Sequence, residues 1–108
     1  NDDVIRVLEE ALPAKFGGAP TDYQICEEEQ PDGRADVILV VNPALGPLDD
    51  RRLIDAFVNA LGEGSVANRM MGRMWRESQV LRVERRIPST TRSGKVLHFH
   101  VSRPVGRK

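Results

Sequence analysis

Asp22-Tyr23-Gln24-Ile25-Cys26-Glu27-Glu28-Glu29-Gln30-Pro31-Asp32-Gly33-Arg34-Ala35-Asp36-Val37-Ile38-Leu39-Val40-Val41-Asn42 is the stretch on which the fold turns. Asp22 to Glu29 reads as a strand, Gln30 to Arg34 supplies the Pro, Asp and Gly of a tight turn, and Ala35 to Asn42 is a β-branched strand. Together they predict a hairpin. The uninterrupted apolar run Val37 to Val41 asks for a central strand covered on both faces. Pro43 and Pro47 bound the loop that follows.

Outward from the hairpin, the periodicity changes from two residues to 3.6. On its N-terminal side, Val4, Ile5, Leu8, Ala11 and Leu12 mark a helix with Asp2 or Asp3 as its cap, and Pro13 with Gly17-Gly18 is expected to end it. On the other side, Asp49-Asp50 caps a helix whose stripe is Leu53, Ile54, Phe57, Val58 and Leu61, closed by Gly62. Ser65 starts another, from Val66 to about Glu77, with Met70, Met71, Met74 and Trp75 on one side and Arg69, Arg73 and Arg76 around its edges. That stripe reads either as core packing or as a docking surface, since methionine adapts to both. Gln79 to Ile87 alternates into a strand with one mainly polar face, and Val96 to Val101 forms a last strand in which Leu97, Phe99 and Val101 alternate with His98 and His100. Helix, strand, strand, helix, helix, strand, strand is an α+β order: a small, mainly antiparallel sheet with helices packed on one face, ferredoxin-like in character.

The 108 residues suffice for one domain that buries roughly two thirds of its unfolded surface. With 40% hydrophobic and 30% charged residues, the chain needs no disulfide or metal staple. The lone Cys26 cannot form an internal disulfide, which points to a reducing, cytoplasmic compartment. No apolar run approaches the roughly 20 residues of a membrane span, and Asn1-Asp2-Asp3 lacks the basic start of a signal peptide. The formal net charge is zero, but residues 1–50 hold 12 acids against 3 bases and residues 51–108 hold 4 acids against 13 bases. This asymmetry either pairs across one small surface or marks an anionic partner.

The chemistry concentrates between the last two strands, at Thr91-Arg92-Ser93-Gly94-Lys95. Glycine beside lysine on a polar turn lets the backbone approach a ligand and sets a compact charge next to it. A phosphate or carboxylate suits that pair. It is not a P-loop: Ser89 stands where the first glycine belongs, and Val96 follows the lysine in place of Ser or Thr. Only three of the 16 basic residues are lysines, so a lysine here departs from the arginine this chain otherwise uses.

The segment resembles the closing P-x-T-x-S-G-K motif of adenylate-forming enzymes, the acyl-CoA synthetase superfamily, with Thr91, Ser93, Gly94 and Lys95 in register. Pro88 stands one residue further from the lysine than in the common form. The order of elements is similar to the small C-terminal domain of the phenylacetate-CoA ligase-like branch. Two features depart from that pattern: the helix from Val66 to Glu77, and His98 where relatives often carry arginine.

What the resemblance implies is a mobile C-terminal lid domain, residues 1–108, whose N-terminal ATP-binding adenylation domain is absent here and would be its partner. The reaction is AMP-forming: an acid and ATP give acyl-AMP, and a thiol, commonly CoA, then takes the acyl group. Lys95 is the catalytic residue implied, with Gly94, Ser93, Arg92 and Thr91 around the phosphates. ATP and magnesium belong to the parent enzyme, none is expected to bind tightly to this domain, and the domain alone is expected to be inactive.

Other chemistries have less behind them. His98 and His100, with Cys26 or a carboxylate, lack a second ligand cluster, so no metal site is expected. Nothing brings Cys26 to a histidine as nucleophile and base, and Glu27-Glu28-Glu29 reads as a solvated hairpin end. The alternative from another class is a non-catalytic nucleic-acid- or protein-binding module, with Arg82, Arg85, Arg86 and Arg92 as phosphate contacts. Few aromatics are present to stack bases, so nucleic acid is the weaker partner.

Overall fold

The computed structural model describes residues 2–89 and 99–102. The chain opens with a helical run through residues 2–16: α1 (Asp2–Arg6), a π turn (Val7–Ala11) and α2 (Leu12–Phe16). Pro13 was expected to end this helix and instead lies inside it. Proline has no N–H to donate, and its ring crowds the carbonyl four residues back. The wider π turn, in which the Leu12 N–H donates to Val7 O, comes directly before it and absorbs both problems. The helix stops at Gly17, whose φ of 91° lies in the left-handed region and whose N–H donates to Pro13 O at 2.8 Å.

The hairpin forms as its sequence predicts. β1 (Tyr23–Glu29) pairs antiparallel with β2 (Ala35–Val41), Tyr23 opposite Val41 and Glu29 opposite Ala35. Gly33, at φ 89°, donates to Gln30 O, Gln30 N–H donates to Arg34 O, and Arg34 N–H donates to the Asp32 carboxylate. α3 (Asp50–Leu61) is capped by Asp49, whose carboxylate accepts from Arg51 N at 2.8 Å. α4 (Val66–Glu77) is capped by Ser65, accepting from Asn68 N at 3.2 Å.

β3 (Leu81–Arg85) and β4 (Phe99–Ser102) complete a four-stranded sheet of order β3-β2-β1-β4. The α+β class stands, with helices on one face. The strand directions, however, are mixed rather than mainly antiparallel: β3 runs parallel to β2, and β4 parallel to β1. Parallel neighbours need a crossover, and α3 with α4 supplies it between β2 and β3. Of the predicted last strand, 99–101 fall within β4, while 96–98 lie outside the described residues.

One face of the sheet carries the main core. Tyr23, Ile25, Val37, Leu39 and Val41 pack against Val4, Val7, Leu8 and Leu12 of the first helical run and against Leu53, Phe57, Val58 and Leu61 of α3. On the opposite face Cys26, Ile38 and Val40 form a second, smaller cluster, so the central strand is covered on both sides as its composition requires.

The methionine stripe of α4 splits. Met71 and Trp75 pack on the core, with Trp75 stacked on Phe57 at 6.3 Å between ring centroids, whereas Met70 and Met74 face outward. Residues i and i+1 on a helix lie on adjacent rows rather than one face, and only the inner row is buried. Asp3 lies within α1 and reaches out to a second helix. Its carboxylate accepts from Ser65 N at 2.9 Å and from the Asn68 amide at 2.8 Å, fastening α1 to the start of α4. These bonds, led by the one from the Ser65 backbone, hold the Asp3 carboxyl below its ordinary pKa.

Candidate functional site

The described residues that flank the lysine segment, Ser89 and Phe99, stand at one end of the sheet. β3 finishes there, with Arg85 opposite Val41 and Val41 opposite Tyr23. Beyond it Pro88 is buried, and Ser89 is gripped by the side chain of Gln24: Ser89 N–H donates to Gln24 Oε1 at 3.2 Å, and Gln24 Nε2 donates to Ser89 O at 3.1 Å. Gln24 is 1% exposed and Ser89 half-buried, so both bonds are partly shielded from water. The next described residue, Phe99, pairs with Ile25. Ser89 and Phe99, the described residues on either side of 90–98, therefore stand against consecutive residues of β1.

This end of the sheet is fastened mainly through backbone groups. The Arg85 guanidinium donates to Gly46 O at 2.6 Å, Asn42 O at 3.1 Å and Val41 O at 3.3 Å. Asn42 donates through its backbone to Asp22 O and through its side chain to the Asp22 carboxylate, which also accepts from Ala19 N. The Tyr23 hydroxyl donates to Gly17 O at 2.7 Å. Burial, reinforced by the charge of Asp22, pushes the pKa of that hydroxyl up to about 12. Such a cluster gives a departing segment a firm base.

Thr91, Arg92, Ser93, Gly94 and Lys95, the residues the sequence singled out, lie outside the described residues, as does His98. His100 belongs to β4, where its backbone stands opposite Cys26. Cys26 itself is buried. Among the described residues no three His, Cys, Asp or Glu side chains converge as metal ligands, and no helix is long and apolar enough to cross a membrane.

Of the arginines considered as phosphate contacts, Arg82, Arg85 and Arg86 are engaged within the fold, and Arg92 lies outside the described residues. Arg82 lies among three carboxylates: Asp36 at 2.7 Å, Glu84 at 3.0 Å and Glu28 at 3.3 Å. Burial pulls its pKa down, but the bonds to Glu84 and Asp36 win and hold it above the ordinary value. Arg86 pairs with Glu84 at 3.0 Å, and Arg85 holds backbone carbonyls as described above. Glu28 is thus a half-buried member of a network, not part of a purely solvated hairpin end.

Two features escaped the sequence reading. The Gln24 clamp did, because a glutamine on a strand with polar neighbours carries no local sign that the chain returns to it 65 residues later. The second is an open cleft of about 690 Å³ where α3, α4 and the start of β3 meet, lined by Arg51, Ile54, Asp55, Arg76, Gln79 and Leu81. Arg76 and Asp55 pair across it, and Gln79 adopts a left-handed φ of 58° in the turn that closes it. It depends on how the helices pack, which no local pattern encodes. Compared with known proteins, the chain matches no family model, no curated protein and no solved structure.

Proposed function

We propose that this domain is the mobile C-terminal part of an ATP-dependent, AMP-forming acid-thiol ligase and that Lys95 serves its adenylation step. The observation that carries the reading is the coincidence of Thr91, Ser93, Gly94 and Lys95 with an inter-strand connection whose two flanks are held at Gln24 and Ile25 of β1. A segment based on a fixed strand can be delivered to a neighbouring active site by moving the whole domain, which is how lids separate successive half-reactions.

When a carboxylate attacks the α-phosphate of ATP, negative charge is crowded onto the reacting oxygens. Lys95 neutralises it with a compact ammonium, an effect of position and electrostatics. Gly94 lets the loop enter a narrow cleft, and Thr91, Arg92 and Ser93 contribute phosphate or loop-fixing contacts. Acid, nucleotide and magnesium are held by the partner adenylation domain, with CoA as the thiol acceptor. Such an enzyme would work in the cytoplasm, where ATP and thiols are supplied.

The test is Lys95→Ala in the complete enzyme, with acid-dependent pyrophosphate release as the readout. The rate should fall by a factor on the order of 10² to 10³, the range for losing one preorganised donor. Lys95→Arg should rescue little, because a planar fork does not replace an ammonium in a tight loop. An unchanged rate in Lys95→Ala would sink the proposal. A non-catalytic protein-binding module is the second reading, and the outward face of α4 favours it.

A further inference from the structure

Among the described residues four large hydrophobic side chains stand exposed, and three of them, Val66 at 63%, Met70 at 62% and Met74 at 64%, occupy successive turns of α4. Spaced four residues apart, they form a continuous apolar ridge. Met70 and Met74, together with Arg73 and Glu77, line a groove of about 270 Å³ along it. The ridge is not explained by the core, which already uses the adjacent row through Met71 and Trp75.

Charge identifies the occupant. Arg69 and Arg73 stand exposed along one side of the ridge, and among the described residues neither has an ion-pair partner, in contrast to Arg76, Arg82 and Arg86. A second copy of the chain fits poorly. A two-fold axis passing at Met70 overlaps the three apolar residues best, and it would set the Arg69 and Arg73 of one copy on the same side as those of the other. Like charges facing each other across an interface disfavour it.

We infer that this ridge is a docking site for an acidic amphipathic helix of a partner protein, whose apolar residues seat on Val66, Met70 and Met74 and whose carboxylates face Arg69 and Arg73. Methionine suits this use, because its flexible, polarisable side chain repacks around a helix laid into a groove. The inference does not depend on Lys95, and its failure would leave the adenylation reading untouched.

The probe is a synthetic amphipathic helix with leucine at every third or fourth position and glutamate beside them, paired with a control in which lysine replaces each glutamate. Binding to the 108-residue chain is followed by fluorescence anisotropy of labelled peptide. The glutamate peptide should bind about tenfold or more tightly than the lysine peptide. Met70→Ser with Met74→Ser should weaken it by a further tenfold or so, the scale for losing a buried apolar side chain. Arg69→Glu with Arg73→Glu should reverse the preference between the peptides. All four substituted residues are exposed, so circular dichroism and the thermal midpoint should match the parent chain. The inference is overturned if neither peptide binds, if both bind equally, or if binding survives the methionine changes. It is overturned as well if the chain self-associates through these methionines in sedimentation, or if anionic vesicles bind the ridge and the glutamate peptide does not.

Discussion

The two ends of the β1-β2 hairpin are held by different physics. At the turn end, Arg82 gathers Asp36, Glu28 and Glu84 across the polar face of the sheet, and Arg34 adds a longer pair to Asp36 at 3.6 Å. At the opposite end, Gln24, Tyr23 and Asn42 bind backbone carbonyls and N–H groups, and the Arg85 guanidinium points at carbonyls rather than carboxylates. An end built from ion pairs is tuned by salt. An end built from hydrogen bonds to the main chain has little to screen, and it is the end where Ser89 and Phe99, the flanks of the lysine segment, are held.

Gln24→Leu should have the largest effect on stability. It removes a donor and an acceptor from beside Ser89 and leaves half-buried backbone groups without those partners, at a cost of about 1–2 kcal/mol in denaturant unfolding. Under the proposed ligase reading, the same change in the complete enzyme should also slow adenylation. A variant that keeps full stability would show that the clamp is incidental and that the two ends do not differ as described.

Tyr23→Phe comes next, at about 1 kcal/mol for the lost bond to Gly17 O. Its pH signature is more telling. The hydroxyl pKa is raised from 10 in the unfolded chain to about 12 in the fold, so the folded state favours the protonated form. That contribution is fully present below pH 10 and is lost as pH rises toward 12. A thermal-unfolding series should show an alkaline decline over this window, weakened in Tyr23→Phe; parallel curves for the two proteins would refute the assignment.

Arg82→Met should have the smallest stability effect, at most about 1 kcal/mol, because Arg82 is 42% exposed and its pairs are screened. Raising the salt concentration should shrink even that difference. Asp36, whose side chain is only 13% exposed, is the one partner that would keep part of the cost. A large, salt-independent loss would mean that the turn end is as tightly organised as its opposite.

How much of this was legible in the sequence follows the distance over which each feature is encoded. The Gln30 to Arg34 turn and the caps at Asp49 and Ser65 are decided within a few residues, and they form as read. The α+β class followed from the order of the periods. Strand direction did not, because the parallel pairing of β3 with β2 is set by the path of α3 and α4, and Leu81 looks the same beside either neighbour direction. Asp3 looked like a local cap but reaches Ser65 62 residues away. Pro13 looked like a stop because nothing local announces the π turn that accommodates it. For the candidate site, the proposed Gly94-Lys95 chemistry rests on the residue types alone, while the base that holds its flanks became visible only when β1 was seen beside Ser89 and Phe99.

The proposed role of Lys95 is tested most directly by partitioning the two half-reactions of the complete enzyme carrying Lys95→Ala. Acyl-AMP formation, measured by pyrophosphate release, should drop on the order of 10² to 10³. Thioester formation from supplied synthetic acyl-adenylate should stay near the parent rate, since the domain would by then have turned its lysine segment away. Equal losses in both half-reactions, or no loss in the first, would contradict the role assigned to Lys95.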